Sequence, residues 1–324
     1  MSNSKIIGIG SYVPLNVLTN SDLEKLVDTS DEWIVSRTGI KQRHISVTEN
    51  TSDLSTKAAI EALNNSNLKA EDLDYIIVAT CTPDKFIPST ACIVQKNIGA
   101  KNAAAFDVSA ACTGFIYALH LASSLIKADT AKNILVIGAE VFSKILNWED
   151  RSTCVLFGDG AGAAILSKDE EYGIISSKIH SDGDKWDALV VDALNIRNPF
   201  VDKEKSDNFV SMNGGEIFKF AVKAFEGAVK ELTSEANISI DDIDFVIPHQ
   251  ANYRIIETIG RRLNIPMSKF ITNLEDVGNT SAASVPLALY DGVKSGKIKK
   301  GDKILLIGFG GGLTWGGTLI KWCL

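Results

Sequence analysis

The chain has 324 residues, of which 45% are hydrophobic and 23% are charged, and its formal net charge is −7 at pH 7. This composition is typical of a soluble globular protein and excludes a disordered chain, a collagen and a coiled coil. The acidic balance has the wrong sign for a general nucleic-acid-binding protein. Five cysteines without a CxxC spacing imply neither a disulfide framework nor a zinc site, and they favour a reducing, cytoplasmic compartment.

The predicted elements alternate between short strands and helices. The first residues, MSNSKIIGIGSYVP, lack the long apolar region of a signal peptide and predict a strand. The later strands are apolar on both faces, which is typical of central strands covered by helices on both sides. The charge-free stretch 108–126 contains too many polar residues for a membrane span, and the polar stretch 181–208 predicts a surface excursion. In chain order, strands are predicted at 75–79, 104–108, 134–137, 245–247 and 304–307, and helices at 52–64, 113–127, 216–235, 252–263 and 284–295.

The two halves of the chain repeat each other. Three pairs of segments match in the same order at a nearly constant offset of about 170 residues, which predicts a duplication. The pairs are 59–83 with 228–252, SAAC at 109–112 with SAAS at 281–284, and 132–138 with 302–308. We expect an N-terminal half, 1–170, and a C-terminal half, 171–324, each an α/β unit, that stack into one layered αβαβα body.

Cys112 is the candidate nucleophile. It lies between the predicted strand 104–108 and a helix that starts at Thr113–Gly114. The positive end of a helix and its unpaired N–H groups lower the pKa of a thiol from about 8.5, so this position predicts a thiolate. A buried, inert cysteine is the alternative on position alone. The remaining cysteines are interpreted as packing residues: Cys81, Cys92, Cys154 and Cys323.

Three further features follow predicted strands or mirror the Cys112 loop. His249 stands at the carboxyl end of a strand, where open α/β sheets place functional groups, although a hydrogen-bonded structural histidine is the alternative. Asn279 belongs to the counterpart of the Cys112 loop, and pseudo-twofold packing would make the two loops face each other. The glycine-rich segment 308–312 can point backbone N–H donors at an oxyanion. It is not a phosphate cradle, because it precedes a strand and the chain lacks GxxxxGK[ST].

Several motifs in this order together resemble the β-ketoacyl-acyl carrier protein synthase III family. They are ACTG around Cys112, PHQAN at 248–252, GNTSAASVP at 278–286, GFGGGLTWG at 308–316, SDEWIVSRTGI at 30–40 and FGDGAGAA at 157–164. The resemblance spans essentially the whole chain and implies a thiolase-like fold and the initiating condensation of fatty acid synthesis. It implies the catalytic set Cys112, His249 and Asn279, where elongation synthases use a second histidine and thiolases a second cysteine. No metal or redox cofactor is needed.

In this family the chemistry would run in two halves. The Cys112 thiolate attacks an acyl-CoA, acetyl-CoA by default, and the N–H groups of Cys112 and Gly311 hold the oxyanion. Malonyl-acyl carrier protein then loses CO₂. Its enolate accepts hydrogen bonds from His249 Nε2 and Asn279 Nδ2, and an amide donor never titrates near neutral pH.

The resemblance also implies binding residues and partners. Coenzyme A would be held by Trp33, Arg37 and Arg151, where a core tryptophan is the alternative for Trp33. Acyl carrier protein would contact a basic face, for which solvated arginines are the alternative: Arg254, Arg261 and Arg262 with Gln250 and Lys219. The chain would be a homodimer without nucleic-acid or membrane partners. Phe309 and Ile87 would line acyl pockets, Ile87 that of the partner subunit and in place of the phenylalanine of many relatives.

Three other functions remain open from sequence. A condensing enzyme of secondary metabolism would use the same three residues on another acceptor. A cysteine hydrolase would need His249 to deprotonate the thiol directly, and it would lose the acyl group to water. A non-catalytic scaffold would only bind carrier protein, which the retention of Cys112, His249 and Asn279 disfavours.

Overall fold

The computed structural model of the chain describes residues 3–196, 198–200 and 208–324. Its strands are β1 (Asn3–Tyr12), β2 (Val17–Thr19), β3 (Gln42–His44), β4 (Tyr75–Ala79), β5 (Ala104–Val108), β6 (Asn133–Glu140), β7 (Gly160–Asp169), β8 (Gly173–Ser181), β9 (Leu189–Val190), β10 (Ser211–Met212), β11 (Phe245–Pro248), β12 (Lys303–Gly310) and β13 (Thr314–Lys321). Its α-helices are α1 (Asn20–Leu23), α2 (Asp31–Thr38), α3 (Thr51–Ser66), α4 (Thr90–Ile98), α5 (Gly114–Lys127), α6 (Arg151–Cys154), α7 (Gly214–Ala236), α8 (Tyr253–Leu263), α9 (Leu274–Val277) and α10 (Ser284–Lys294). Two short 3-10 helices, Ala111–Thr113 and Ser281–Ala283, precede α5 and α10.

Two sheets with corresponding strand orders form the body of the protein. The first has the order β1-β7-β6-β4-β5 and the second β8-β13-β12-β11. Strand β4 runs parallel to both β5 and β6, as β11 runs parallel to β12. The pairs β6–β7, β7–β1, β12–β13 and β13–β8 are antiparallel. The registers also correspond at an offset of 170 residues, since Tyr75 pairs with Ile134 and Phe245 with Ile304.

Helices cover both faces of both sheets. Helices α5 and α10 lie in the middle and contact strands of both sheets, while α3 and α4 cover the outer face of the first sheet and α7 covers that of the second, with α8 packed beside it. The middle layer is the densest part of the core, where Phe115 and Leu119 of α5 are completely buried. The predicted layered αβαβα arrangement is therefore confirmed.

Local sequence accounts for the longest helix, α7. The side chain of Asn213 accepts a hydrogen bond from the Glu216 amide and caps the first turn, while Asn237 ends the helix in the left-handed conformation with φ of 52°. Between these caps, Phe225 and Leu232 are fully buried against the second sheet. Burial of one such side chain contributes about 1.5–3 kcal/mol.

The five predicted helices are present as α3, α5, α7, α8 and α10, and their ends differ from prediction by no more than two residues. The strands lie where the apolar runs predict them. The first sheet ends with Asp169 and the second begins with Gly173 in chain order. The division into halves 1–170 and 171–324 stays a prediction, and this change of sheet supports it.

Three expectations need correction. The glycine-rich segment is not a loop throughout, because Gly308–Gly310 end strand β12 and only residues 311–313 form the turn. The pairing of SAAC with SAAS is two residues out of register, because Ala111, not Ser109, corresponds to Ser281. Each of these two residues opens a 3-10 helix with a positive φ, 46° and 48° respectively.

The third correction concerns the polar stretch 181–208. It is not only a surface excursion, because Leu189 lines the Cys112 cavities and Ala188 is 2% exposed. Residues 197 and 201–207 of this stretch lie outside the described residues.

In the described ranges, no helix has the length and apolar character needed to cross a membrane. In the same part of the chain, no cluster of three or more His, Cys, Asp or Glu side chains is placed to hold a metal ion.

Candidate active site

A sharp turn between β5 and α5 presents Cys112. Ala111, just before it, has φ of 46°, a left-handed conformation that costs a non-glycine residue energy and is common at functional sites. Thr314 stabilises the turn from the opposite half, because its hydroxyl donates to the Ala110 carbonyl at 3.0 Å. In return, the Thr113 hydroxyl donates to the Thr314 carbonyl at 3.1 Å.

The end of strand β12 lies directly against this turn. A Cβ atom built on Gly310 would come within 2.7 Å of the Cys112 backbone nitrogen, so only glycine fits there. Cys112 is the second residue of its 3-10 helix, where an N–H group has no partner within the helix. Its N–H group can therefore serve an oxyanion, as predicted, and Gly311 lines the cavity on the same side.

Cys112 lies where two cavities meet. The smaller, about 120 Å³, is also lined by His249, Asn279 and Phe309. The larger, about 510 Å³, is lined by residues that include Cys81, Ser281, Leu189 and Gly311. The structure thus brings the predicted catalytic set into one cavity and provides a second, larger space beside the thiol.

His249 is 2% exposed and stands at the end of β11, as expected. Its Nδ1 lies 2.6 Å from the Ser284 hydroxyl, and the Phe309 ring packs edge-on against it with ring centroids 5.1 Å apart. Burial lowers the pKa of His249 to about 3, so the ring is neutral near pH 7. The single proton of the Ser284 hydroxyl has two acceptors within reach, His249 Nδ1 and the Ser281 carbonyl at 2.9 Å. When it goes to Nδ1, the ring proton is on Nε2, which is the arrangement that the predicted donor role requires.

Asn279 has a fixed orientation. Its Oδ1 accepts a hydrogen bond from the Ser281 amide at 3.0 Å, which leaves Nδ2 as the free end of the side chain. Its backbone is bonded to the segment that begins the FGDGAGAA motif, since its N–H donates to Leu156 and its carbonyl accepts from Gly158. The FGDGAGAA motif therefore supports the site through backbone hydrogen bonds that hold Asn279 in place.

The expected thiolate is not the resting state of this site. Burial raises the pKa of the Cys112 thiol to about 12, and the charge of Glu140 raises it further. A hydrogen bond from Ser281 lowers the pKa but does not offset burial. The expected lowering of this pKa by the helix N-terminus is therefore wrong, because burial of the thiol is the largest influence on it.

The three predicted coenzyme A residues meet at the surface. The guanidinium carbons of Arg37 and Arg151 lie 5.7 and 5.0 Å from the centroid of the Trp33 ring. Trp33 is half-buried and both arginines are exposed. Asn252, which lines the Cys112 cavity, donates to the Arg37 carbonyl at 3.1 Å, so this cluster adjoins the cavity.

The predicted basic face is exposed but is less basic than the arginines alone suggest. Arg254, Arg261 and Arg262 are exposed on α8, yet Glu257 lies between them at helical spacing and Arg262 forms an ion pair with Glu226 at 3.1 Å. Lys219 is likewise exposed on α7. Helices α7 and α8, which carry these cations, also contribute residues to the wall of the smaller cavity, among them Phe218 and Ile255.

Gln250 cannot contact a carrier protein, which corrects the prediction. Its side chain is completely buried, donates to the carbonyls of Pro248 and Ile271, and accepts from the Asn273 amide. Because all of these partners are internal, Gln250 joins the ends of β11 and the following segments.

The acyl-pocket predictions differ in outcome. Phe309 is 2% exposed and lines the cavity beside His249. Ile87 is 88% exposed and lies outside the residues that line the two Cys112 cavities, so an acyl-pocket role requires a second copy of the chain. That role stays a prediction.

Sequence reasoning missed four residues of the site. Cys81 is not a packing residue but part of the wall of the larger cavity. Ser281 and Ser284 lie within the GNTSAASVP motif, and their contacts to Cys112 and His249 could not be deduced before the loops were placed. Glu140 carried a signal, since it is a carboxylate at the end of an otherwise apolar strand.

Comparison with known proteins agrees with this fold. Residues 106–183 match the family model for 3-oxoacyl-[acyl-carrier-protein] synthase III, and residues 233–322 match that for its C-terminal part. The chain is 58% identical to a β-ketoacyl-[acyl-carrier-protein] synthase III of Clostridium perfringens, over 99% of this chain and 100% of the relative. The crystal structure of the Aquifex aeolicus 3-oxoacyl-[acyl-carrier-protein] synthase III is 49% identical, with a TM-score of 0.93 over 98% of this chain and 100% of that one.

A priming β-ketosynthase from the R1128 polyketide biosynthetic pathway is also similar, at 33% identity and a TM-score of 0.93, over 99% of this chain and 96% of that one. The fold and the matched segments define a thiolase-like condensing enzyme, an acyltransferase. The chain belongs to the β-ketoacyl-[acyl-carrier-protein] synthase III family.

The protonation state of His249 is directly testable. We expect its ring to stay neutral from pH 8 to pH 5, because burial holds its pKa at about 3. We expect the proton on Nε2, with the Ser284 hydroxyl donating to Nδ1 and not to the Ser281 carbonyl. Nitrogen-detected NMR of the histidine rings, with His249→Ala for assignment, measures both. A titration midpoint near the ordinary 6.5, or a proton on Nδ1, would contradict this description.

Proposed function

We propose that the chain condenses an acyl-CoA, acetyl-CoA by default, with malonyl-acyl carrier protein, giving 3-oxoacyl-acyl carrier protein, coenzyme A and CO₂. This is the initiating step of type II fatty acid synthesis. The observation that carries the proposal is that Cys112, His249 and Asn279 line one cavity. The five unpaired cysteines support a reducing, cytoplasmic location for this reaction.

The first half-reaction transfers the acyl group to the protein. The Cys112 sulfur attacks the thioester carbonyl, and coenzyme A leaves. The oxyanion accepts hydrogen bonds from two N–H groups, that of Cys112 in the turn before α5 and that of Gly311 just after strand β12. The larger cavity provides space for the acyl chain, and its wall includes Cys81 and Leu189.

The second half-reaction uses the two neutral donors. Malonyl thioester loses CO₂, and its enolate oxygen accepts hydrogen bonds from His249 Nε2 and Asn279 Nδ2. Neither group releases or takes a proton readily near pH 7, since His249 is neutral and an amide does not titrate. The enolate carbon is therefore preserved for attack on the acyl-Cys112 carbonyl. No metal or redox group is required for either step.

Two surfaces suit the two substrates. The cluster of Trp33, Arg37 and Arg151 offers an aromatic face and two cations to the nucleotide end of coenzyme A. Lys219 and the arginines of α8 offer positive charge, on helices that also line the smaller cavity, to an acidic carrier protein. The chain as a whole is acidic, with a net charge of −7, so this local exception favours one docking orientation.

A homodimer is part of the proposal. Strand β5 is the edge of the first sheet and carries Phe106, which is 36% exposed. Phe86 and Ile87 are 76% and 88% exposed in the segment that follows β4. An open edge strand beside exposed apolar side chains is typical of a surface covered by another chain. In such a dimer, Ile87 would reach the acyl pocket of the partner subunit.

A condensing enzyme of secondary metabolism is the second candidate, which the similarity to the R1128 priming β-ketosynthase favours. It would use the same residues, and an assay with malonyl-acyl carrier protein separates the two. A cysteine hydrolase is disfavoured, because it needs His249 to take the thiol proton. Burial opposes that proton transfer in both partners, because it raises the pKa of the Cys112 thiol to about 12 and lowers that of His249 to about 3.

Cys112→Ser is expected to abolish acyl transfer from acyl-CoA, because a hydroxyl is a far weaker nucleophile than a thiol near neutral pH. Intact-mass measurement should show one added acyl group on the wild type and none on this variant. Cys81→Ser is the matched control, since it removes the other thiol of the cavity wall and should retain the added mass. Label that maps to Cys81 would place the nucleophile elsewhere.

The two half-reactions should separate in His249→Ala and Asn279→Ala. We expect both variants to keep much of their self-acylation but to lose malonyl decarboxylation by about 100- to 1,000-fold, the effect of one lost oxyanion donor. Radiolabelled CO₂ release and intact mass measure the two steps on the same samples. A variant as defective in acylation as Cys112→Ser would identify that residue as the thiol's base and contradict the assignment.

Reversal of Arg254 and Arg261 to glutamate is expected to raise KM for malonyl-acyl carrier protein and to flatten its salt dependence. Charges at a rim act on encounter and are screened over about 8–10 Å near physiological ionic strength. KM for acetyl-CoA should change little. Lys299 and Lys300 reversed to glutamate are the control, because both are exposed before β12, at the end of the sheet away from the site. An equal rise in both KM values would show that α8 lines a shared path.

A further inference from the structure

The proposed reaction gives no role to the buried carboxylate of Glu140, whose charge acts on the Cys112 thiol. Glu140 is the last residue of β6 and is completely buried. A buried carboxylate is expensive unless it is neutralised or hydrogen-bonded, so its presence needs a physical reason. The two sheets correspond at an offset of 170 residues, which pairs Glu140 with Gly310, the residue that packs against Cys112.

Hydrogen bonds hold this carboxylate from both halves of the chain. On the first-half side, the hydroxyls of Thr80 and Thr82 donate to it at 3.1 and 2.6 Å, and the Cys81 amide donates at 3.1 Å. On the second-half side, the Ser281 hydroxyl donates at 3.2 Å. Glu140 is therefore fixed at the point where the two predicted halves meet.

Ser281 connects this carboxylate to the thiol. Its hydroxyl donates to Glu140 at 3.2 Å, and Ser281 lines the same cavity as Cys112. The Ser281 hydroxyl also lowers the pKa of the Cys112 thiol, as a neighbouring hydrogen-bond donor does. The thiol of Cys112, the hydroxyl of Ser281 and the carboxylate of Glu140 thus form a row, in which the link between Ser281 and Glu140 is a hydrogen bond. The Ser281 amide also orients Asn279, so its position is fixed independently of its side chain.

We propose that Glu140 accepts the proton of the Cys112 thiol through the hydroxyl of Ser281. This inference rests on the proposed role of Cys112 as the nucleophile. As the sulfur–carbon bond forms, the thiol proton moves to Ser281 and the Ser281 proton moves to Glu140. When the bond to coenzyme A breaks, a proton returns by the same route to the departing sulfur. Glu140 is then a carboxylate again, and the overall transfer is balanced.

The charges around Glu140 favour this role. The titratable groups that face it are Cys81, Cys112 and, at longer range, Lys144, whose pKa burial lowers. Burial also raises the pKa of Glu140 to about 7, against about 3 for His249, so Glu140 is the better proton acceptor of the two near neutral pH. Its protonation removes a negative charge from beside the developing thiolate.

The test is the pH dependence of single-turnover self-acylation by acetyl-CoA. The proton acceptor must be ionised, so the wild-type rate should rise through about pH 7 and level off above it. Glu140→Gln should remove this inflection and lower the rate at pH 8 by about 100-fold or more, the usual contribution of a general base. Glu140→Asp keeps a carboxylate and should restore an inflection.

Ser281→Ala breaks the row and leaves Glu140 with its other three donors. An alanine is tolerated in this conformation, since Ala111 has φ of 46° at the corresponding position and Ser281 has φ of 48°. We expect the same loss of rate and of the inflection as in Glu140→Gln. If Glu140→Gln fails to fold, this variant decides the question.

Asp159→Asn is the matched control. Asp159 is also completely buried and hydrogen-bonded, to Ser46 and Ser143, but it does not belong to the row that ends at Cys112. The Asp159→Asn variant should keep the wild-type inflection in its pH–rate profile. Loss of the inflection in this variant as well would show a general effect of removing a buried carboxylate, and it would overturn the proposal. A wild-type pH–rate profile in Glu140→Gln or Ser281→Ala would also overturn the proposed role of Glu140. In that case, loss of acylation in Cys112→Ser would still support Cys112 as the nucleophile. Acylation that persists in Cys112→Ser would contradict both the nucleophile role of Cys112 and the proton-acceptor role of Glu140.

Discussion

The site depends on a close backbone contact between the ends of two strands and two left-handed turns. Gly310 of β12 abuts Cys112, and Gly138 of β6 abuts the Ala282 carbonyl, so a side chain at either glycine would push a turn out of place. Both turns begin with a non-glycine residue at positive φ, Ala111 and Ser281. Such a conformation persists only where the surroundings hold it, and here each turn is held by the opposite sheet.

This packing also determines the electrostatics. The contact excludes water from the cavity walls, and desolvation is the largest cause of the shifted pKa of Cys112, Glu140 and His249 alike. The resting site therefore has a neutral thiol, a neutral imidazole and one carboxylate that several donors stabilise. Neutral donors suit an enolate, because they stabilise its charge without protonating it. The remaining requirement is a proton acceptor for the thiol, which the row through Ser281 supplies.

The sequence could predict the elements because their signals are local. Apolar strands such as 75–79 and 304–307 and capped helices such as α7 need no knowledge of distant residues. The repeat in the chain indicated the layers, and strand-end positions singled out Cys112 and His249. The repeat also pointed to Asn279, and motif resemblance then added the cluster of Trp33, Arg37 and Arg151.

The remainder could not be predicted because it depends on burial and on contacts between distant segments. The raised pKa of Cys112 reflects desolvation that no helix-end argument includes. Gln250 was expected to contact the carrier protein at the surface, yet its hydrogen bonds are all to internal groups. Glu140 and Ser281 are 141 residues apart, and only the packed halves join them. Glu257 was within reach of sequence reasoning, since it falls at helical spacing between the arginines of α8.

The most direct test of the central claim is a crystal structure of the protein after brief exposure to acetyl-CoA. We predict continuous density from the Cys112 sulfur to an acetyl group, with the acetyl oxygen facing the N–H groups of Cys112 and Gly311. His249 and Asn279 should remain on the other side, free for the second substrate. An acetyl group on Cys81, or an acetyl oxygen bound by His249 and Asn279, would contradict the division of roles that we assign.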